Sequence, residues 1–155
     1  MGPTGTTTLN VPGWSDISGL FDLAKIKSVR VTFYAANQSG PNTSGVVAYE
    51  AVQLGTVIDK TDIGIPGAQT DLMQYGDFNF STLDANKKYS RTFVPGILAA
   101  SNYAGGASYS ASSPWLLTDQ TLPTQLGLKG WVLGPTNFTD LIIKVDIIYM
   151  CKAMK

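Results

Sequence analysis

The chain has 155 residues and a mass of 16.5 kDa, which suits one domain burying roughly 70% of its unfolded surface. Hydrophobic residues make up 44%, which excludes a disordered chain, and eleven Lys and Arg cancel eleven Asp and Glu, which excludes a strongly basic or acidic one. Charged residues are only 14%, against about 25% in ordinary soluble domains, so little repulsion keeps copies apart and much of the surface is expected to be covered by other chains.

The chain has no His, which excludes Ser-His-Asp and Cys-His catalysis, His-ligated zinc and the usual proton shuttle near neutral pH. A single cysteine, Cys151, makes no internal disulfide. The opening Met1-Gly2-Pro3-Thr4-Gly5 has neither the basic nor the apolar segment of a signal peptide, and no apolar run is long enough to span a bilayer. The expectation is a soluble chain with no membrane partner.

In chain order, residues 6–11 read as a short strand stopped by Pro12-Gly13, and residues 18–24 as one or two helical turns weakened by Gly19. Residues 25–35 form the clearest early strand, with Val29, Val31, Phe33 and Ala35 on one side and Ser28, Arg30, Thr32 and Tyr34 on the other. Turn chemistry fills 37–45, a strand follows over 46–54, and 59–67 form a loop. Residues 69–75 read as a short helix ended by Gly76, then 78–83 and 87–94 as a hairpin around Asp84-Ala85-Asn86, stopped by Pro95-Gly96. Small polar residues over 99–113 read as a long loop; strands over 115–118, 126–133 and 140–152 complete the chain. In the last strand, Leu141, Ile143, Val145, Ile147 and Tyr149 alternate with Ile142, Lys144, Asp146, Ile148 and Met150.

These are about eight strands with connections too short for crossover helices. They predict one all-β domain over 1–155, an eight-stranded antiparallel Greek-key jelly-roll sandwich, with one or two helical turns in loops. Residues 1–8 are expected to be disordered or an engineered start.

Several segments then carry a likeness. Lys25-Ile26-Lys27-Ser28-Val29-Arg30-Val31-Thr32-Phe33-Tyr34 and Ser44-Gly45-Val46-Val47-Ala48-Tyr49 form two successive strands. Lys88-Tyr89-Ser90-Arg91-Thr92-Phe93-Val94-Pro95-Gly96 is a basic strand ending in Phe-x-Pro, and Pro114-Trp115-Leu116 precedes Gly127-Leu128-Lys129-Gly130-Trp131. In this order, over about residues 9–152, they resemble the jelly-roll coat proteins of small icosahedral viruses, most of all those of circular single-stranded DNA viruses encoding a replication initiator, and the related tombusvirus-like shell domains. The resemblance implies a capsid protein that self-assembles into a closed shell around a nucleic-acid genome, located in the virion and assembled in the host cell. Such coats open with an Arg- and Lys-rich arm, whereas the first basic residue here is Lys25. Either the arm has been removed or this coat packages without one.

Residue by residue, each functional reading stands beside a plainer one. Lys25, Lys27 and Arg30, and again Lys87, Lys88 and Arg91, are basic groups able to hold phosphates without sequence preference; the plainer reading is a solvated sheet edge. Strict alternation puts Lys27 on the Val29 side and Arg30 on the other, so they do not share a face. Ile63, Ile65, Tyr103, Tyr109 and Trp115 are candidate subunit-contact residues in loops. Asp59 and Asp62 are the best candidates for calcium between subunits, although Asp is also an ordinary turn residue; no other cofactor is implied. Glu50, the only glutamate, and Cys151 have structural readings, and nothing here marks a catalytic residue or an enzyme. The alternative to a coat is a carbohydrate-binding jelly-roll module stacking sugars on Trp14, Trp115 or Trp131.

Overall fold

The computed structural model describes residues 14–36, 52–61, 64–83, 87–100, 107–110, 113–119, 125–133 and 140–153. Two helices, α1 (Trp14–Leu20) and α2 (Gln69–Leu72), accompany ten strands. These are β1 (Leu23–Ala36), β2 (Val52–Ile58), β3 (Asn79–Leu83), β4 (Lys88–Phe93), β5 (Gly96–Ala100), β6 (Ala107–Ser110), β7 (Leu116–Leu117), β8 (Gln125–Leu126), β9 (Leu128–Leu133) and β10 (Asp140–Lys152). Every pairing is antiparallel. The chain is therefore all-β, as its alternating pattern predicts.

The long strands β1 and β10 pair along their whole length, from Leu23 opposite Lys152 to Ala36 opposite Asp140, and β4 lies on the other side of β1. A second sheet runs β3-β2-β9 and a third β6-β5-β8. The single residue Gly127 separates β8 from β9, so these two sheets meet along one stretch of chain.

The alternation of β1 decides where the core sits. Ile26, Val29, Val31, Phe33 and Ala35 are buried together with Val52 and Leu54 of β2 and Leu83 of β3. Tyr89, Phe93, Leu128, Leu141, Val145, Ile147 and Tyr149 pack around them, which makes two sheets face to face. Val52, Leu54 and Leu83 are completely buried, each contributing about 1.5–3 kcal/mol of apolar transfer. The Phe33 and Tyr89 rings stack at 6.3 Å between centroids, and the Tyr89 hydroxyl shares a 3.1 Å hydrogen bond with the Thr56 hydroxyl across the sandwich. Cys151 is half-buried opposite Ala24, as its place in the alternation predicts.

The two sheets differ on their outer sides. Segment 64–78 lies on the outside of β2: Leu72 of α2 is fully buried, and a Cβ on Gly55 would stand 3.1 Å from the Phe78 ring and 3.6 Å from Leu72. A side chain at position 55 would make the Phe78 ring give way by a few tenths of an ångström. The outer side of β10-β1-β4 instead carries exposed side chains from all three strands.

Some expectations change. The first helix lies earlier, over Trp14–Leu20, and β1 begins at Leu23. The stop at Pro95-Gly96 and the long loop after it give way to β5 and β6, paired from Ile97 opposite Ser110 to Ala100 opposite Ala107. Ala, Ser and Gly carry little strand propensity, so pairing partners decide this stretch, not local pattern. The strands expected over 6–11 and 46–51 lie outside the described residues, as does Glu50. Among the described residues no helix is long and apolar enough to cross a membrane.

Candidate functional site

Two clusters of charged side chains stand out, one exposed and one buried. The exposed one is built by strand register. On β1 the buried Ile26 and Val29 would fall on opposite faces if alternation were strict, because three bonds separate them. A bulge between Ile26 and Ser28 absorbs Lys27 and restores the inward row. As a result Lys25 and Arg30 share the outer face, and Lys27 projects from the bulge, exposed. This corrects the strict-alternation reading, which put Lys27 on the Val29 side, apart from Arg30.

Register extends the face to both neighbours. Lys88 stands opposite Tyr34 and Thr92 opposite Arg30 on β4. On β10, Lys144 stands opposite Thr32, Asp146 opposite Arg30 and Lys152 opposite Leu23. Arg30 Nε donates to the Thr92 hydroxyl at 3.3 Å, and Lys144 pairs with Asp146 at 2.9 Å, which holds the exposed Lys144 ammonium above its ordinary pKa. Lys25, Arg30, Lys88, Lys144 and Lys152 thus share one side with Asp146, and the register puts Asp140 at the end of the same row. Lys87 is exposed just before β4. Lys144 and Lys152 are not among the cations singled out in the sequence; they lie on the non-core row of β10, and the β1–β10 register shows which cations they join.

Arg91 belongs elsewhere. It sits opposite Val31, in the inward row with Tyr89 and Phe93, and its guanidinium bonds Asp77 at 2.8 Å and the Asp77 carbonyl at 3.2 Å. The same Asp77 carboxylate accepts the Ile58 amide at 2.9 Å. Arg91 ties β4 to the chain leading into β3 and is not part of the exposed basic face.

The buried cluster centres on Asp59, at the end of β2. One carboxylate oxygen accepts the Lys129 ammonium at 2.7 Å and the Tyr75 hydroxyl at 3.1 Å; the other accepts the Thr61 amide at 2.9 Å and hydroxyl at 2.6 Å. Burial pushes the Asp59 carboxyl up, but Lys129, Thr61 and Tyr75 together bring it well below the usual carboxylate range. Lys129 also lies 5.9 Å from the Tyr75 ring centre. An ammonium therefore already neutralises the carboxylate read as a calcium ligand, and the partner residue Asp62 lies outside the described residues. Among the described residues no three acidic or cysteine side chains come together as a metal site.

A cavity of about 520 Å³ opens beside this cluster, with Ile65, Tyr75 and Lys129 in its wall. Ile65 is 69% exposed and Trp115 40% exposed. Tyr109 stands on β6 opposite Leu98, while Ile63 and Tyr103 lie outside the described residues. Of the three Trp considered for sugar stacking, Trp14 begins α1, Trp115 precedes β7, and Trp131 is half-buried opposite Gly55. They lie in different parts of the fold.

Compared with known proteins, the chain matches the family model described as Circovirus capsid protein over residues 5–154. No curated protein and no solved structure matches. The match takes in every described strand, from the central β1 to the edge strand β10. With an all-antiparallel sandwich and a surface poor in charge, the chain belongs to the circovirus capsid protein family.

Proposed function

We propose that identical copies of this capsid protein tile a closed icosahedral shell inside the host cell, with the basic outer side of β10-β1-β4 turned toward a packaged nucleic-acid genome. The observation that carries this reading is the gathering of Lys25, Arg30, Lys88, Lys144 and Lys152 on one sheet face. In a chain of zero net charge, five cations against Asp146 and, at the strand end, Asp140 are a local bias toward positive charge. Phosphate binding by such a face comes from release of condensed counterions, so it is non-specific and salt-dependent. Among the described residues the opposite sheet, with segment 64–78 on its outside, has no comparable face.

The eight-stranded jelly roll belongs to the same proposal. Counting β8 and β9 as one strand interrupted at Gly127, and leaving aside the two-residue β7 paired with the start of β1, gives the run β3-β2-β9/β8-β5-β6 opposite β10-β1-β4, a two-layer wall suited to a shell. Its low charge supports burial of the rim against neighbours, since an unpaired charge desolvated at a joint is costly.

The test is a stepwise salt wash of purified particles followed by negative-stain microscopy and absorbance. Rising salt is expected to strip nucleic acid while hollow shells remain. Shells that fall apart before nucleic acid leaves would overturn the division between wall contacts and basic face.

A further inference from the structure

We infer that β10 pairs edge to edge with β10 of a second copy, antiparallel, about a two-fold axis through Val145. The inference rests on the shell reading above and adds one specific joint to it.

β10 is the terminal strand of its sheet, and among the described residues no strand pairs with its other edge. It is 13 residues long, and it exposes Ile142 (54%), Ile143 (54%), Ile148 (56%) and Met150 (44%). A long edge with exposed apolar side chains is a template for another strand, and proteins normally blunt or cover it. Asp140 and Lys152 stand at its two ends, and near its middle Lys144 and Asp146 flank Val145 with opposite sign.

A two-fold axis perpendicular to the sheet pairs a strand with itself in the antiparallel sense, so residue i meets j while j meets i. It also keeps inward rows inward, because opposed residues share a face. Centred on Val145, the pairing sets Lys144 against Asp146 of the second copy, twice, and Ile142 against Ile148, twice. On the inward row Val145 meets Val145, and Ile143 meets Ile147, which continues the sandwich interior across the joint. Moving the centre one residue to Lys144 opposes two lysines; moving it to Asp146 opposes two aspartates. Of these three registers, the middle one alone opposes no two like charges, and its one mismatch, Asp140 against Met150, falls at the end of the strand.

Cysteine bridges read this register. Opposed residues in antiparallel strands have Cα atoms about 4.5–5.5 Å apart, within disulfide reach. Residues 142 and 148 of one chain stand about 20 Å apart and cannot bridge to each other. In a Cys151→Ala background, Ile142→Cys with Ile148→Cys is expected to give a covalent dimer on oxidation in most chains, seen on a non-reducing gel. Either cysteine alone gives none, and an equal mixture of the two single variants restores the dimer, which guards against a double variant that fails to fold. Ile142→Cys with Met150→Cys, which reads the register centred on Asp146, is expected to stay monomeric on the gel. Shells without the 142–148 bridge, or a bridge from the 142–150 pair, overturn the strand pairing and leave the capsid reading in place. A parent chain that forms no shells under the microscope overturns the shell reading instead.

Discussion

The Phe93 ring lies directly on Gly127: a Cβ at that position would stand 2.1 Å from the ring edge, with two more ring carbons within 2.9 Å. Phe93 packs against the core from β4, and Gly127 is the one residue between β8 and β9. The missing side chain therefore lets the two sheets approach where the opposing sheet changes partner from β5 to β2. Gly127→Ala must push an already packed ring aside, at a cost of about 1–3 kcal/mol by analogy with overpacked cores. Adding Phe93→Leu should recover part of that loss, since the two changes share one contact. Urea denaturation of the two single variants and the double variant measures the coupling; strictly additive losses would mean that the ring does not constrain position 127.

The Asp59–Lys129 pair sets an acid limit on stability. The Asp59 carboxyl is held below its unfolded value of about 3.9, so it stabilises the fold above that pH and the contribution fades as pH falls toward the folded value. Both side chains are nearly buried, 2% exposed for Asp59 and 12% for Lys129, so Asp59→Asn leaves an ammonium without its counter-charge. The loss expected at pH 7 is about 3–5 kcal/mol. By linkage, the gap between wild type and variant should shrink by about 1 kcal/mol on moving from pH 7 to pH 3, and further at pH 2. Denaturant midpoints at these pH values check it, and an equal gap at pH 7 and pH 3 would exclude the carboxylate as the source.

Basic residues divide into those that face outward and one that does not. Arg30→Gln with Lys88→Gln should lower the slope of log affinity against log salt for single-stranded nucleic acid by about 1.4, on the basis of about 0.7 per phosphate contact. Arg91→Gln should leave the slope unchanged and lower stability instead, because its guanidinium is held by Asp77. Filter binding at several salt concentrations, with a melting curve for each variant, separates the two effects. A slope that falls as much for Arg91 as for Arg30 would place phosphate on the inner row.

The strands legible in the sequence were those whose apolar side chains face one core. In β1 and β10 the alternation of Val31 and Phe33, or Val145 and Ile147, with polar or exposed residues marks both the strand and its buried side. β5 and β6 lacked that mark, because Ala99, Ala100, Ala107 and Ser108 are small and are held in strands by each other. For charged residues, local pattern shows the row a side chain occupies but not its partner. Arg91 shares the row of Tyr89 and Phe93, yet its partner Asp77 lies in a turn. Asp59 looked like a turn residue because Lys129 is 70 positions away. The bulge at Lys27 was hidden for a different reason: two buried residues three positions apart, Ile26 and Val29, fit no strict alternation, and only pairing with β10 shows which residue is extra.

That bulge leads to a test by deletion. Without Lys27, Ile26 precedes Ser28 and Val29, and the order becomes inward, outward, inward with no irregularity. All inward residues of β1 keep their faces, so the chain lacking Lys27 should fold with stability within about 1 kcal/mol of the parent, since only an exposed side chain and an unpaired residue are lost. Removing Thr32 is different in kind. It makes Val31 and Phe33 neighbours, so one side of the deletion must turn its buried residues outward. Several core side chains would then be exposed at about 1.5–3 kcal/mol each, more than a typical domain's whole stability of about 5–15 kcal/mol can absorb. Circular dichroism and size-exclusion chromatography of the two deletions give the answer directly: a folded chain without Lys27 and an unfolded or aggregated chain without Thr32. If both fold equally well, the register of β1 is not what holds the core together.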